Sequence, residues 1–136
     1  MSWLYDGNIV EEFDPIYVGF VYIIENKTNG RKYIGKKLFN FQKTKTVKGK
    51  KKRILVESDW KQYFGSNKEL NEEVDLLGEE RFERRILKFC HTKGECSYWE
   101  AKFQFDFDVL LKPDEYYNSW IMIKVRRSHL ITKKNK

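Results

Sequence analysis

Residues 18–25, VGFVYIIE, and residues 31–37, RKYIGKK, are separated by Asn26-Lys-Thr-Asn-Gly30, and no other feature limits the fold as tightly. β-Branched and aromatic side chains suit a pleated strand, and Asn with Gly at the junction suits a tight reversal. The segment therefore predicts an antiparallel hairpin. Such pairing folds the eleven-residue separation of Tyr22 and Tyr33 so that their side chains stand near one another. Two neighbouring phenols could flank one phosphate, although a single aromatic on a strand is ordinarily packing.

Around this hairpin the chain alternates helix and strand signals. Ser66-Asn-Lys-Glu69 has the form of a capping box, Gly78 supplies a stop, and Leu70, Val74 and Leu77 recur at helical spacing between them. Phe82–Cys90 (FERRILKFC) predicts a third strand that sends Phe82, Ile86 and Leu87 to the core. A second capping box, Thr92-Lys-Gly-Glu95, opens a long helix expected to reach Leu111 before Pro113 ends it. Tyr98, Trp99, Ala101, Phe103, Phe105, Phe107 and Leu110 make that helix apolar around much of its girth, so it is expected to be central. Residues 1–17 predict an arm that packs Trp3, Leu4 and Tyr5 onto the domain, and residues 121–136 an apolar stretch followed by a basic tail. With 136 residues and 40% hydrophobic content, one domain is expected, its core at residues 18–120.

Charge narrows the partner. The chain holds 27 Lys and Arg against 20 Asp and Glu, a formal +7, and a cationic surface attracts polyanions. Lys43, Lys45, Lys48, Lys50, Lys51, Lys52 and Arg53 crowd into one segment around Gly49, which predicts a mobile loop unless an anion neutralises it. Cys90 and Cys96 are too few for a disulfide framework, and with His91 they fall short of the four ligands of structural zinc, so free thiols in a reducing compartment are expected. No apolar run approaches the length needed to span a bilayer, and a soluble, cytoplasmic protein is expected.

Phe20-Val-Tyr22 followed by Tyr33-Ile-Gly35, with Asn26 and Gly30 in the turn, resembles the two signature elements of the GIY-YIG nuclease superfamily. Phe20 stands where the first signature element would begin with glycine. Later residues extend the resemblance, with Glu100 on the long helix and Asn118 beyond it in the places of that family's metal-binding glutamate and its asparagine. Tyr63-Phe-Gly-Ser66 is similar to a segment of phage and homing-endonuclease-like members. Together with the elements above, the resemblance implies an α+β fold, a small central three-stranded antiparallel sheet flanked by helices.

What the resemblance implies chemically is a metal-dependent endonuclease that hydrolyses phosphodiester bonds of DNA, most simply double-stranded DNA. Glu100 would bind one Mg²⁺ or Mn²⁺, Tyr22 would position or deprotonate the attacking water, and Tyr33 would help bind the phosphate. Bottom-up, a carboxylate at position 100 on a stripe with Cys96, Phe103, Phe107 and Leu111 is costly without a cation. For the phosphate-binding cation, Arg53 is the only arginine in its region, and its fork can hold two phosphate oxygens; Lys37 is the other candidate. Lys36, Lys50, Lys51, Lys52, Tyr63 and Asn118 complete the expected DNA-binding set. A phenol titrates near 10, so Tyr22 as a base needs neighbouring cations, which the lysines could provide. Two other readings stay open: a DNA-binding module of the same fold without catalysis, and a basic RNA-binding protein, which would leave Tyr22, Tyr33, Glu100 and Asn118 without a shared reason.

Overall fold

The computed structural model describes residues 2–131. Its elements are β1 (Trp3–Tyr5), β2 (Asn8–Val10), β3 (Gly19–Asn26), β4 (Lys32–Leu38), β5 (Asn40–Val47), β6 (Lys50–Glu57), α1 (Lys68–Leu77), β7 (Phe82–Cys90), α2 (Lys93–Asp106) and α3 (Arg127–Leu130). The fold is α+β, but the main sheet has five strands in the order β2-β1-β7-β3-β4, with β1 parallel to β7, where three antiparallel strands were expected. The hairpin forms as predicted, with Tyr22 opposite Gly35 and Ile24 opposite Tyr33.

The two additional strands come from the expected arm. Trp3 is buried at 1% exposure, donates its indole N–H to the Trp60 carbonyl at 2.6 Å, and meets Phe20 edge-on at 5.0 Å. An aromatic side chain with that much surface to bury draws its short segment into the sheet, and the Asp6-Gly7 turn, both residues at positive φ, then returns the chain as β2. Residues 3–10 of the expected arm therefore belong to the sheet as a short hairpin.

The expected mobile loop is a second sheet. β5 and β6 pair in register from Asn40 with Glu57 to Val47 with Lys50, closed by Lys48 and Gly49 at φ 52° and 76°, the geometry of a tight hairpin turn. Thr44, Thr46, Val47, Ile54, Leu55 and Val56 supply the β-formers that the charge obscured.

Each face of the main sheet carries its own core. Phe20, Tyr22 and Ile24 point to one, with Trp3, Phe39, Trp60, Phe64, Leu70 and Phe82; Val21, Ile23 and Ile34 point to the other, with Cys90, Cys96 and Val109. α1 covers the first face through Leu70 and Val74, but its cap is Asn67, whose side chain accepts from the Leu70 amide at 2.9 Å, because the Ser66 hydroxyl is engaged elsewhere. α2 covers the second face and is shorter than predicted, ending at Asp106 before Asp108 turns at φ 54°. Its buried residues are Cys96, Ala101 and Gln104, while Phe105, Phe107, Leu110 and Leu111 are exposed, so α2 lies on the sheet as a flank. Cys90 and Cys96 are free and buried. Among the described residues no helix is long and apolar enough to cross a membrane.

Candidate active site

β4 is an edge strand, and the backbone groups it turns outward organise the site. Lys32 receives a bond from the Tyr117 amide and gives one to the Glu115 carbonyl, both at 2.8 Å. Ile34 donates to Asn118 Oδ1 at 3.0 Å, and its carbonyl accepts from Asn118 Nδ2 at 2.8 Å and Gln104 Nε2 at 3.0 Å. The Asn118 side chain thus continues the ladder as a strand would, blocking further pairing at that edge. Two residues on, the Lys36 backbone and ammonium face Glu100. Cys96, Glu100 and Gln104, spaced four apart, form the line of α2 that follows β4. This line differs from the predicted stripe, since Phe107 and Leu111 turn outward.

Tyr22 reaches the same edge from the sheet's other face. A β-carbon on Gly35 would fall 2.6 Å from Tyr22 Cζ and 3.0 Å from Tyr33 Cε2, so the missing side chain is what lets the Tyr22 ring lie across β4. Opposite Tyr22 the β3–β7 register skips Leu87, a bulge of the kind that re-aims side chains beside active sites. Tyr22 packs 6.2 Å from the Tyr33 ring and 6.0 Å from the Tyr63 ring, measured between centroids. The Tyr33 hydroxyl meets Ser66 Oγ at 3.1 Å. Tyr22, Tyr33 and Tyr63 therefore form one phenol cluster.

The electrostatics of this cluster run against ionised phenols. Burial pushes Tyr22 well above the usual tyrosine range, and Tyr63, Tyr33 and Glu100 push it further. Tyr33 is raised by burial and by Glu100, while its bond to Ser66 opposes the shift. Lysines were expected to favour a Tyr22 phenolate, whereas burial and the neighbouring Tyr63, Tyr33 and Glu100 all favour the neutral phenol. Glu100 is itself raised by burial, with the Lys36 ammonium and backbone pulling the other way.

Lys37 lies on the phenol side of β4, 4.1 Å above the Tyr63 ring and 2.7 Å from Asp59, whose carboxyl it holds below the ordinary range. Lys36 lies on the other side and bonds Ser97 Oγ at 2.6 Å. Both flank a cleft lined also by Asn40, Phe41, Asp59 and Tyr63. Arg53 sits in the second sheet opposite Thr44, exposed, and among the described residues no hydrogen bond, ion pair or ring contact joins it to the phenol cluster or Glu100. Lys50, Lys51 and Lys52 share that ribbon. Asn118 is buried with its amide given to Ile34, which makes it a brace for β4.

Several contributors escaped the sequence reading. Gln104 was visible as a polar residue one turn beyond Glu100. Asp59 gave no signal, since an exposed carboxylate is unremarkable, and Ser66 stood out as a helix cap and in the Tyr63–Ser66 segment but not as the partner of Tyr33. Arg84 is buried between Trp3 and Phe64, its guanidinium carbon 4.6 and 4.3 Å from the rings, and donates to the carbonyls of Tyr63 and Lys61 at 2.8 and 3.0 Å. Burial lowers it to about 10. It fixes the loop that carries Tyr63, from a strand position where alternation alone predicts only a buried residue.

An edge strand opened by glycine, a cluster of phenols and a half-buried glutamate thus converge beside Lys36 and Lys37, groups of the kind that can meet an anion. The family model described as "Putative endonuclease segE, GIY-YIG domain" matches residues 3–121, and the chain belongs to this GIY-YIG family. The match begins at Trp3, in agreement with β1 and β2 being part of the domain. No curated protein and no solved structure matched the chain. The domain is that of a nuclease, and thus of a hydrolase.

Proposed function

We propose that this chain is a divalent-metal-dependent endonuclease acting on duplex DNA. The observation that carries the reading is the convergence of Tyr22, Tyr33 and Glu100 on the β4 edge at Gly35, within a domain of the GIY-YIG family. A half-buried carboxylate raised by burial gains from a cation, and a single oxygen donor suits Mg²⁺ or Mn²⁺, which retain most of their own waters. Glu100 would hold that ion, which when bound supplies positive charge against the charge that develops on the phosphoryl group.

The chain's own residues do the rest. The Tyr22 hydroxyl, kept neutral, orients the attacking water by hydrogen bonding, and the proton that this water gives up on attacking phosphorus passes to bulk solvent, which in turn protonates the leaving 3′ oxygen. The Tyr33 hydroxyl, shared with Ser66, donates toward the phosphate. Lys36 and Lys37 offer ammonium groups to the non-bridging oxygens, Lys37 by exchanging Asp59 for phosphate. Holding water, phosphate and cation in one geometry accounts for acceleration without any covalent intermediate.

Incubation of the protein with supercoiled plasmid tests this reading. Nicked or linear product with Mg²⁺ and none with EDTA is expected; binding without cutting under both conditions would leave a DNA-binding module.

A further inference from the structure

The cations of this chain fall into two populations. Outside residues 40–57 several are held in ion pairs: Arg31 with Glu69, Lys37 with Asp59, Lys68 with Glu72, Arg85 with Glu25 and Glu83, Lys102 with Asp106. Residues 40–57 carry seven cations and one carboxylate, so the rest of the chain is close to neutral. Among the described residues none of these seven makes an ion pair, and Lys45 stands directly opposite Lys52 on the ladder. Like charges in that position oppose the hairpin they sit on. The ribbon therefore carries a repulsion that an anion bound from outside the chain would relieve.

Its two faces differ. Strand alternation puts Gln42, Thr44, Thr46, Lys51 and Arg53 on one face, and Lys43, Lys45, Lys50 and Lys52 with Phe41 and Ile54 on the other. The first set mixes amide, hydroxyl and guanidinium groups, the chemistry that reads base edges: Arg to guanine, Gln to adenine, Thr to either. The second is a row of point charges suited to phosphates. A two-stranded ribbon fits the major groove, about 12 Å wide, and strands of this length extend about 27 Å, most of a helical turn of DNA. The ribbon starts two residues after β4 ends, at the rim of the cleft that holds Lys36, Lys37 and Tyr63.

We propose that the β5–β6 ribbon enters the major groove of duplex DNA, the Gln42–Thr44–Arg53 face reading base edges and the lysine face gripping the flanking phosphates, and so selects the sequence presented to the site at Gly35. This rests on the nuclease reading above. It also gives Arg53, which stands on the ribbon opposite Thr44, a part in recognition.

Selection from a random-sequence 30-bp duplex pool in EDTA, with full-length protein, tests the inference. Wild type is expected to enrich a motif. Arg53→Lys, which keeps the charge but loses the fork, and Gln42→Ala should each blur adjacent positions of that motif without changing the salt dependence of binding. Lys45→Ala with Lys52→Ala should weaken all duplexes alike and make the log Kd against log salt slope shallower by about 2. A wild-type motif unaltered in Arg53→Lys and Gln42→Ala, or no motif at all, would overturn the base-reading role; an unchanged slope in the double lysine variant would take the ribbon off the DNA. A wild-type chain that binds no duplex would count against the nuclease reading itself.

Discussion

Gly35→Ala is the substitution through which fold and site are most tightly joined. The added β-carbon would lie 2.6 Å from Tyr22 Cζ and 3.0 Å from Tyr33 Cε2, too close without movement. Little can give: Gly35 and Tyr22 are register partners on the ladder, and the Tyr22 ring is backed by Trp3 at 5.2 Å and Tyr63 at 6.0 Å. Overpacking of this sort costs about 1–3 kcal/mol, and the enclosed ring places this case at about 2–3. For a chain of this size that lowers Tm by roughly 6–12 °C. Tyr22→Phe removes the atom nearest the new methyl but leaves Cζ, so Gly35→Ala should cost about 0.5–1.5 kcal/mol less in that background. Urea unfolding of the four proteins gives the cycle directly. A Gly35→Ala protein within about 0.5 kcal/mol of wild type, or the same cost in both backgrounds, would refute the contact that orients Tyr22.

Glu100 is an acid whose folded pKa is raised, so its contribution to stability is greatest below the ordinary glutamate value of 4.5 and is lost as pH rises through the folded value. Glu100→Gln should therefore melt above wild type at pH 7, with the gap closing below pH 4.5; thermal melts across pH 3–8 check this, and a variant that melts lower at pH 7 would contradict it. Asn118→Leu leaves the Ile34 amide unpartnered and should cost about 1–3 kcal/mol, seen as faster hydrogen exchange of that amide, while Gln104 still serves the carbonyl. Trp3→Ala empties a buried site and removes a bond to Trp60, so urea unfolding should report a loss of about 3–5 kcal/mol, where a dispensable arm would show almost none.

The hairpin was legible because Tyr22 and Tyr33 sit on segments whose composition and turn agree with one structure. β7 was legible for the same reason. β1 and β2 were hidden by length: three-residue strands show no periodicity, and only the burial of Trp3 reveals why they join the sheet. The ribbon was hidden by its charge, which argues for disorder in isolation, whereas the alternating threonines and the Lys48-Gly49 turn argue for pairing. α2 misled because seven apolar residues suggested burial all round, yet its contact line is Cys96, Glu100 and Gln104, two of them polar and both turned to the β4 backbone. In the site, residues that point to chemistry by type were found, and those that act by position, Gly35, Asp59, Ser66 and Arg84, needed the third dimension.

The most direct test of the account is single-turnover cleavage of duplex DNA at saturating protein, with binding measured in parallel by fluorescence anisotropy. Wild type should cut with Mg²⁺ or Mn²⁺, and Glu100→Gln and Tyr22→Phe should bind the same duplex while cutting at least about 100-fold more slowly. Cutting by Glu100→Gln at the wild-type rate, or wild-type cutting undiminished by EDTA, would contradict it.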